Sequence, residues 1–279
     1  MRVLVPGAAG LLGGVTVERW RRAGHDVIGW TRGDVDVTDG PRVWAAVAAV
    51  RPDVIINCTA YNKVDEAEGE PAAALAVNAW TVRALARAAR DTGAALVHYS
   101  TDFVFDGVVN RPLTEDDPAR PRSVYGASKL LGEWLAAEVP RHYVLRVESL
   151  FGGSVARSTI DRMHEAMCAG REVTAFSDRT VTPSYVPDIA WATEQLLLGA
   201  APAGLYHVVN TGTATWVEVA HTLRQLAAVP EAVVRAVPVA SVAMRAVRPQ
   251  FAALSNDKLA RAGIVMPTWQ DALERHLSG

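Results

Sequence analysis

Residues 2–14, RVLVPGAAGLLGG, decide the fold. The apolar run at their start reads as a β-strand, and Gly7, Gly10 and Gly13 follow it in a Gly-x-x-Gly-x-x-Gly spacing that opens a helical pattern running through Arg19 to Arg22. Glycines placed there permit a tight turn and let a pyrophosphate approach the helix N-terminus, where unpaired N–H groups and the helix dipole favour anions. The spacing alone would be a weak motif. A strand before it and a helix after it make it a dinucleotide-binding turn rather than a merely structural one.

Outward from this turn the same alternation continues. HDVIGW, DVIINC and ALVHYS read as strands, separated by helical patterns near Arg42 to Val50 and through Ala73 to Ala89. Strands alternating with helices indicate βαβ units and a parallel sheet. Runs such as VIIN are apolar on both faces, as strands covered on both sides require. The expected fold is α/β, a doubly wound parallel sheet over residues 1–150, with a smaller substrate lobe built mainly from 151–279. After Arg146 the pattern is less regular, with prolines at 183 and 187, and a helix near 187–198 is expected to return to the sheet.

The 279 residues carry a net charge of -2, which gives no electrostatic reason to expect nucleic acid or an anionic membrane as partner. No apolar stretch reaches the roughly 18 residues of a membrane span, and the N-terminus lacks the form of a signal peptide. Two cysteines, Cys58 and Cys168, are too few for a disulfide scaffold and form no CxxC pair, so they read as reduced thiols in a cytoplasm. A small-molecule partner and no resident metal are the expectation.

The second strand ends in Thr31-Arg32 instead of the acidic residue that would bind an NAD ribose. An arginine there can neutralise a 2′-phosphate, which favours NADPH, with NADH and a solvated Arg32 as the alternatives. Asp36 and Val37 lie where an adenine could be held, although Asp36 also suits a turn. Ser100 and Thr101 end the ALVHYST strand at the carboxyl edge of the sheet, where open α/β folds bind ligands. Tyr125 and Lys129 share one face of the next helix, and a neighbouring ammonium would lower the cost of a phenolate. Together these groups suit proton delivery from Tyr125 to a carbonyl oxygen held by Thr101, with Lys129 also reaching the cofactor ribose.

With GAAGLLG, DVDVTD, RPDVIINCTAYNKVDEAE, VHYSTDFVFDG, SVYGASKLLGE, GLYHVVNTGTATW and MPTWQDAL in order along nearly its whole length, the chain resembles the extended short-chain dehydrogenases and, within them, the dTDP-4-dehydrorhamnose reductases. The resemblance implies a Rossmann-type fold, the catalytic trio Thr101, Tyr125 and Lys129, and NADPH-dependent reduction of the 4-keto group of a nucleotide-linked 6-deoxysugar. The cofactor surface then comprises Gly7, Gly10, Leu11, Leu12, Gly13, Thr31, Arg32, Asp36, Val37, Thr59, Ala60 and Tyr61, besides Tyr125 and Lys129. Asn62, Val64, Ser100, Thr101, Asp102, Ser149 and Arg248 would meet the substrate. Asp65, Glu66 and Glu68 read as a solvated helix start.

Three features depart from that family. Pro6 lacks an N–H at the glycine turn. RVESLFGG replaces an Arg-Thr-Ser-Trp run, which puts Ser149 where a tryptophan would pack against the sugar. Val15 stands where some members carry a glutamate for a metal-bridged dimer, so that dimer is not expected, while a plain homodimer stays open. A 4,6-dehydratase would need an acidic pair after Thr101, but Phe103 follows Asp102. A sugar-nucleotide epimerase and a non-catalytic NADP-binding regulatory subunit are the remaining alternatives. His98 reads as core, and Trp134, Trp191, Trp216 and Trp269 as packing residues before sugar platforms.

Overall fold

The computed structural model describes residues 1–154, 158–199 and 201–278. Its first half runs β1 (Arg2–Pro6), α1 (Leu11–Arg22), β2 (Asp26–Trp30), α2 (Gly40–Val50), β3 (Val54–Asn57), the short helices α3 (Val64–Ala67) and α4 (Pro71–Leu75), α5 (Thr81–Thr92), β4 (Ala95–Thr101), α6 (Val124–Ala136) and β5 (His142–Val147). There follow β6 (Leu150–Phe151), α7 (Thr159–Cys168), β7 (Val173–Phe176), β8 (Thr180–Val181), β9 (Ser184–Tyr185), α8 (Val186–Leu198), β10 (Gly204–His207), β11 (Ala214–Thr215), α9 (Trp216–Leu226), β12 (Val234–Val237), α10 (Asp257–Arg261) and α11 (Trp269–Ser278).

Six strands form one parallel sheet in the order β10-β5-β4-β3-β1-β2. The side-chain period of two sorts its residues: Val3, Val5, Val54 and Ile56 face a core with α1 and α8, whereas Leu4 and Ile55 face α2 and α5. Each of these side chains is at most 1 % exposed, worth about 1.5 to 3 kcal/mol of burial apiece. The chain leaves β1 for β2 on one side and later returns to β3 on the other, which opens a crevice at the carboxyl ends of β1 and β3.

Two pieces of this layer come from beyond residue 150. Helix α8 packs on α1, where Arg19 and Glu194 pair across the contact, and β10 extends the sheet beside β5. The rest of the second half has its own core of Phe151, Ile160, Met163, Val219, Trp269 and Leu273. Arg275 joins the two by donating to both oxygens of Asp188 at 2.8 and 2.7 Å. Trp216 and Trp269 lie inside this core and Trp191 packs against the sheet, whereas Trp134 is 63 % exposed.

Among the described residues, no helix is long and apolar enough to cross a membrane, and no group of three or more His, Cys, Asp or Glu is placed to hold a metal ion.

Candidate active site at the carboxyl edge of the sheet

The glycine turn lies in the crevice. Gly7 has φ 84° and lies so close to the backbone of Cys58 and Thr59 that a side chain would collide with both. Gly13 packs directly on the Gly7 carbonyl, leaving no room for a Cβ. Gly10 caps α1 without a side-chain acceptor, and the first turn holds no acidic residue. The first N–H groups of α1, through Leu11, Leu12 and Gly13, therefore lack intrahelical partners at an electropositive end. Pro6 leaves this turn anchored: its carbonyl accepts from Cys58 N at 2.9 Å, and the N–H groups of Gly7 and Ala8 both donate to Trp30 O.

After β2 the chain turns on its own carboxylates. Thr31 donates N–H and hydroxyl to Asp34 Oδ2 at 2.8 and 2.7 Å. Asp36 accepts from Thr38 N and Oγ1, which holds its carboxyl below the usual range, and the Val37 carbonyl accepts from Thr81 Oγ1. Asp36 is thus a turn residue. Arg32 is exposed, and its charge is close enough to Lys63 to oppose protonation there, although Glu66 at 2.6 Å raises the lysine overall. Nothing in the local sequence joins Arg32 to a lysine 31 residues away.

Thr59, Ala60 and Tyr61 border the same crevice and are held by two asparagines that the sequence did not single out. Asn57 Oδ1 accepts from Thr59 N and Oγ1. Asn78, fully buried in a π turn over Ala76–Trp80, accepts from Tyr61 N at 2.8 Å and donates to Tyr61 O and Ser128 Oγ at 3.0 and 2.9 Å. Such one-residue bulges recur at functional sites because they redirect one side chain out of the helical register. The Tyr61 phenol donates to Glu70, which pushes its pKa up to about 12.

Ser123 caps α6 by accepting from Gly126 N at 3.1 Å. Gly126 lets the helix rest on the Phe103 carbonyl, where a Cβ would overlap, and this contact brings the Tyr125 phenol near the Thr101 hydroxyl, which favours its ionised form. Thr101 in turn donates to Asp102 Oδ1 at 2.8 Å. Burial holds the Tyr125 phenol above its ordinary range against the influence of the Thr101 hydroxyl, and the Asp102 charge pushes the same way as burial. Lys129 sits one turn further along α6, yet its ammonium donates to the Tyr99 carbonyl. The expected lowering of the phenol by the ammonium is therefore absent from the groups acting on Tyr125: burial dominates. Burial likewise brings Lys129 down to about 8, with Glu133 and Cys58 opposing it.

Other expectations need correction. Ser100 points to the opposite face of β4 from Thr101 and donates to Glu133, which also binds Arg146 Nε and Nη2 at 2.8 and 2.7 Å. Ser100 thus belongs to the sheet's interior rather than to a substrate pocket. Arg248 places its guanidinium on Asp65, at 2.8 and 2.6 Å, so its fork is already filled by a carboxylate. Asp65 also accepts from Ala246 N, and Glu68 from Val124 N, so neither carboxylate belongs to a solvated helix start. Asn62 is exposed and Val64 half-buried on the connection into α3. Ser149 has φ 47°, a left-handed conformation, and its carbonyl accepts from Ser184 N. Asp102 is 3 % exposed, and burial pushes its carboxyl up to about 6 against the attraction of Arg179. An open cleft of about 480 Å³ lies between Asp106–Val108, Arg122 and the segment from Val239 to Gln250. His98 is buried in β4 beside Asn57, and Cys168 is exposed at the end of α7.

A glycine cradle at the β1–β3 crevice, next to a threonine–tyrosine hydroxyl pair and a buried lysine at the β4 edge, defines a dinucleotide-binding α/β protein with the groups for acid–base chemistry at a carbonyl. A family model described as the RmlD substrate binding domain matches residues 1–279, and the chain belongs to that family. It is 40 % identical to a dTDP-4-dehydrorhamnose reductase of Streptomyces griseus, over 98 % of this chain and 91 % of that one. It is 35 % identical to a dTDP-4-keto-6-deoxy-D-glucose reductase of Streptomyces niveus, over 98 % and 95 %. The crystal structure of a Bacillus anthracis dTDP-4-dehydrorhamnose reductase in complex with NADP matches with a TM-score of 0.95 at 31 % identity, covering 99 % and 98 %.

Proposed function

We propose that the protein is a cytoplasmic NADPH-dependent reductase of the 4-keto group of a nucleotide-linked 6-deoxysugar, dTDP-4-dehydro-L-rhamnose or a close relative. The observation that carries this reading is the Tyr125–Thr101 hydroxyl pair at the sheet edge, one strand away from a glycine cradle that side chains cannot enter. The cradle fits a dinucleotide because Gly7 and Gly13 leave backbone where a Cβ would collide, and because α1 presents unpaired N–H groups to a pyrophosphate.

Gly7, Gly10, Leu11, Leu12 and Gly13 would hold the pyrophosphate, Arg32 with Lys63 the 2′-phosphate, Thr59 to Tyr61 the middle of the cofactor, and Lys129 the nicotinamide ribose. When bound, the cofactor supplies a hydride to the carbonyl carbon. The chain's part is the proton. Thr101, its hydroxyl turned from Asp102 to the ketone oxygen, would orient that oxygen by donating to it, and Tyr125 would transfer its phenolic proton there as negative charge develops. A phenol held protonated by burial keeps its proton until the oxygen becomes basic enough to take it. The ammonium of Lys129, released from Tyr99 O towards the ribose and the phenol, would then stabilise the phenolate.

Oxidation of NADPH by purified protein given dTDP-4-keto-6-deoxysugars tests the reading. Protein that binds NADPH but turns over none of them would refute it. Tyr125→Phe removes only the proton donor, so kcat should fall roughly 10²- to 10⁴-fold while NADPH affinity stays unchanged.

A further inference from the structure

We propose that Asp65 is a positioning residue for the substrate: by fastening residues 243–248 it holds one wall of the cleft beside the site, so that the nucleotide end of the sugar finds that cleft already shaped. The proposal rests on the ketoreductase reading above and deepens its substrate half. The cleft of about 480 Å³ lies between Asp106–Val108, Arg122 and the segment from Val239 to Gln250. Chain connectivity puts it next to the reacting groups. Arg122 directly precedes the Ser123 cap of α6, which carries Tyr125, and Asp106 follows shortly after Thr101 and Asp102. A nucleotide-linked sugar with its ketone at Thr101 and Tyr125 has this space for its nucleotide.

The wall needs a fastening because burial supplies little. Of residues 241–250 only Ala246 and Pro249 are buried, and Val242 and Val247 are 39 % and 44 % exposed. Its two ends are tied: Val239 N donates to Asp178 Oδ1 at 2.8 Å, and Pro249 O accepts from Arg179 Nε at 3.2 Å. Between these ends, among the described residues, every hydrogen bond that residues 243–248 make outside their own segment ends on Asp65. Arg248 lays its guanidinium on the carboxylate, Nη1 at 2.8 Å from Oδ1 and Nη2 at 2.6 Å from Oδ2, and Ala246 N donates to Oδ1 at 2.9 Å. Arg248 Nη1 also donates to the Ala246 carbonyl at 3.0 Å, which closes the turn on itself. A bidentate fork on an arginine side chain only 15 % exposed is the geometry in which an ion pair near the surface counts. Arg248 holds the Asp65 carboxyl below its usual range, so it stays ionised at neutral pH.

Asp65 lies on α3, a few residues after Tyr61 at the cofactor crevice. Asn78 locks that stretch to α6 by accepting from Tyr61 N and donating to Ser128 Oγ. The wall is thereby anchored to the frame that carries Tyr125. Glu68, just past α3, makes a different tie, accepting from Val124 N at 2.8 Å at the start of α6. Asp65 acts through Arg248 and the wall, not by contact with the reacting groups.

Titration of the NADPH-bound protein with dTDP tests the proposal. Asp65→Asn keeps an acceptor for Ala246 N but loses the charge, and should weaken dTDP about tenfold or more with NADPH affinity unchanged. In turnover, KM for the ketosugar should rise by a similar factor at nearly unchanged kcat. Arg248→Met breaks the same pair from the other side and should do the same. The double variant should be no worse than the weaker-binding single one, because both substitutions remove one interaction. Glu68→Ala, whose bond goes to α6, should leave dTDP affinity as it is, whereas a general loosening of this stretch would weaken it too. Unchanged dTDP affinity in Asp65→Asn, additive losses in the double variant, or an equal loss in Glu68→Ala would each overturn the proposal. So would tighter dTDP binding, the mark of a freed Arg248 taking the phosphate, or a wild-type protein that binds no dTDP. A wild-type protein that binds dTDP but reduces no ketone refutes the ketoreductase reading alone, and the titrations still decide the role of Asp65.

Discussion

Replacing Glu133 by alanine should destabilise the fold by about 3 to 5 kcal/mol, the cost of leaving one partner of a buried ion pair alone. Glu133 is 6 % exposed and Arg146 3 %. The carboxylate accepts from Arg146 Nε and Nη2 and from Ser100 Oγ, so one truncation strips three donors of their acceptor. Arg146 Nη1 already lacks a partner, and the Phe105 ring, 4.8 Å from its guanidinium carbon, is a weak substitute for a carboxylate. An exposed pair of the same geometry would contribute about 1 kcal/mol or less. Against a total stability of roughly 5 to 15 kcal/mol, the loss here is large. Urea unfolding measures it, as a lower midpoint at unchanged slope. The double variant Glu133→Leu with Arg146→Met removes both charges and should recover most of the loss, because an apolar pair of similar volume has no buried charge to leave unpaired. A single variant that loses less than about 1 kcal/mol, or a double variant as unstable as the single one, would refute the reasoning.

Arg32→Ala should weaken NADPH about tenfold to a hundredfold, the value of roughly 1.5 to 3 kcal/mol for charge-assisted bonds, and leave NADH almost untouched. Because Lys63 stands close by, Arg32→Ala with Lys63→Ala should weaken NADPH further. Equal losses for both cofactors in a binding titration would make Arg32 a loop-holding residue. Stability should also fall in acid. Burial first, then the Arg146 charge, bring His207 down to about 3, below its unfolded value of about 6.5, so the unfolded chain takes up a proton first as pH falls between those values. That group alone should remove about 2 kcal/mol between pH 7 and pH 5. His207→Asn should lessen the pH slope of urea unfolding, and an unaltered slope would count against the assignment.

The alternation of apolar runs and helical stretches was readable along the chain because periodicity, glycine placement and helix caps are local properties of the polypeptide. The turn at Gly7, Gly10 and Gly13 needs no distant partner to be recognised, and Tyr125 and Lys129 share a face through helix geometry alone. Their electrostatics were not readable. The ammonium engages Tyr99 O, 30 residues back in sequence, and burial governs the phenol. Arg248 looked free until the fold placed Asp65 against it, 183 residues away. Asn78 was hidden because one extra residue in a helical turn leaves no trace in composition. Strand order added β10 from the second half of the chain to the sheet edge. Sequence by itself determined which segments become strands, helices and a phosphate-binding turn, since each choice depends on residues within a few positions. Only tertiary structure decided which charges meet and which are desolvated, because both depend on groups far apart along the chain.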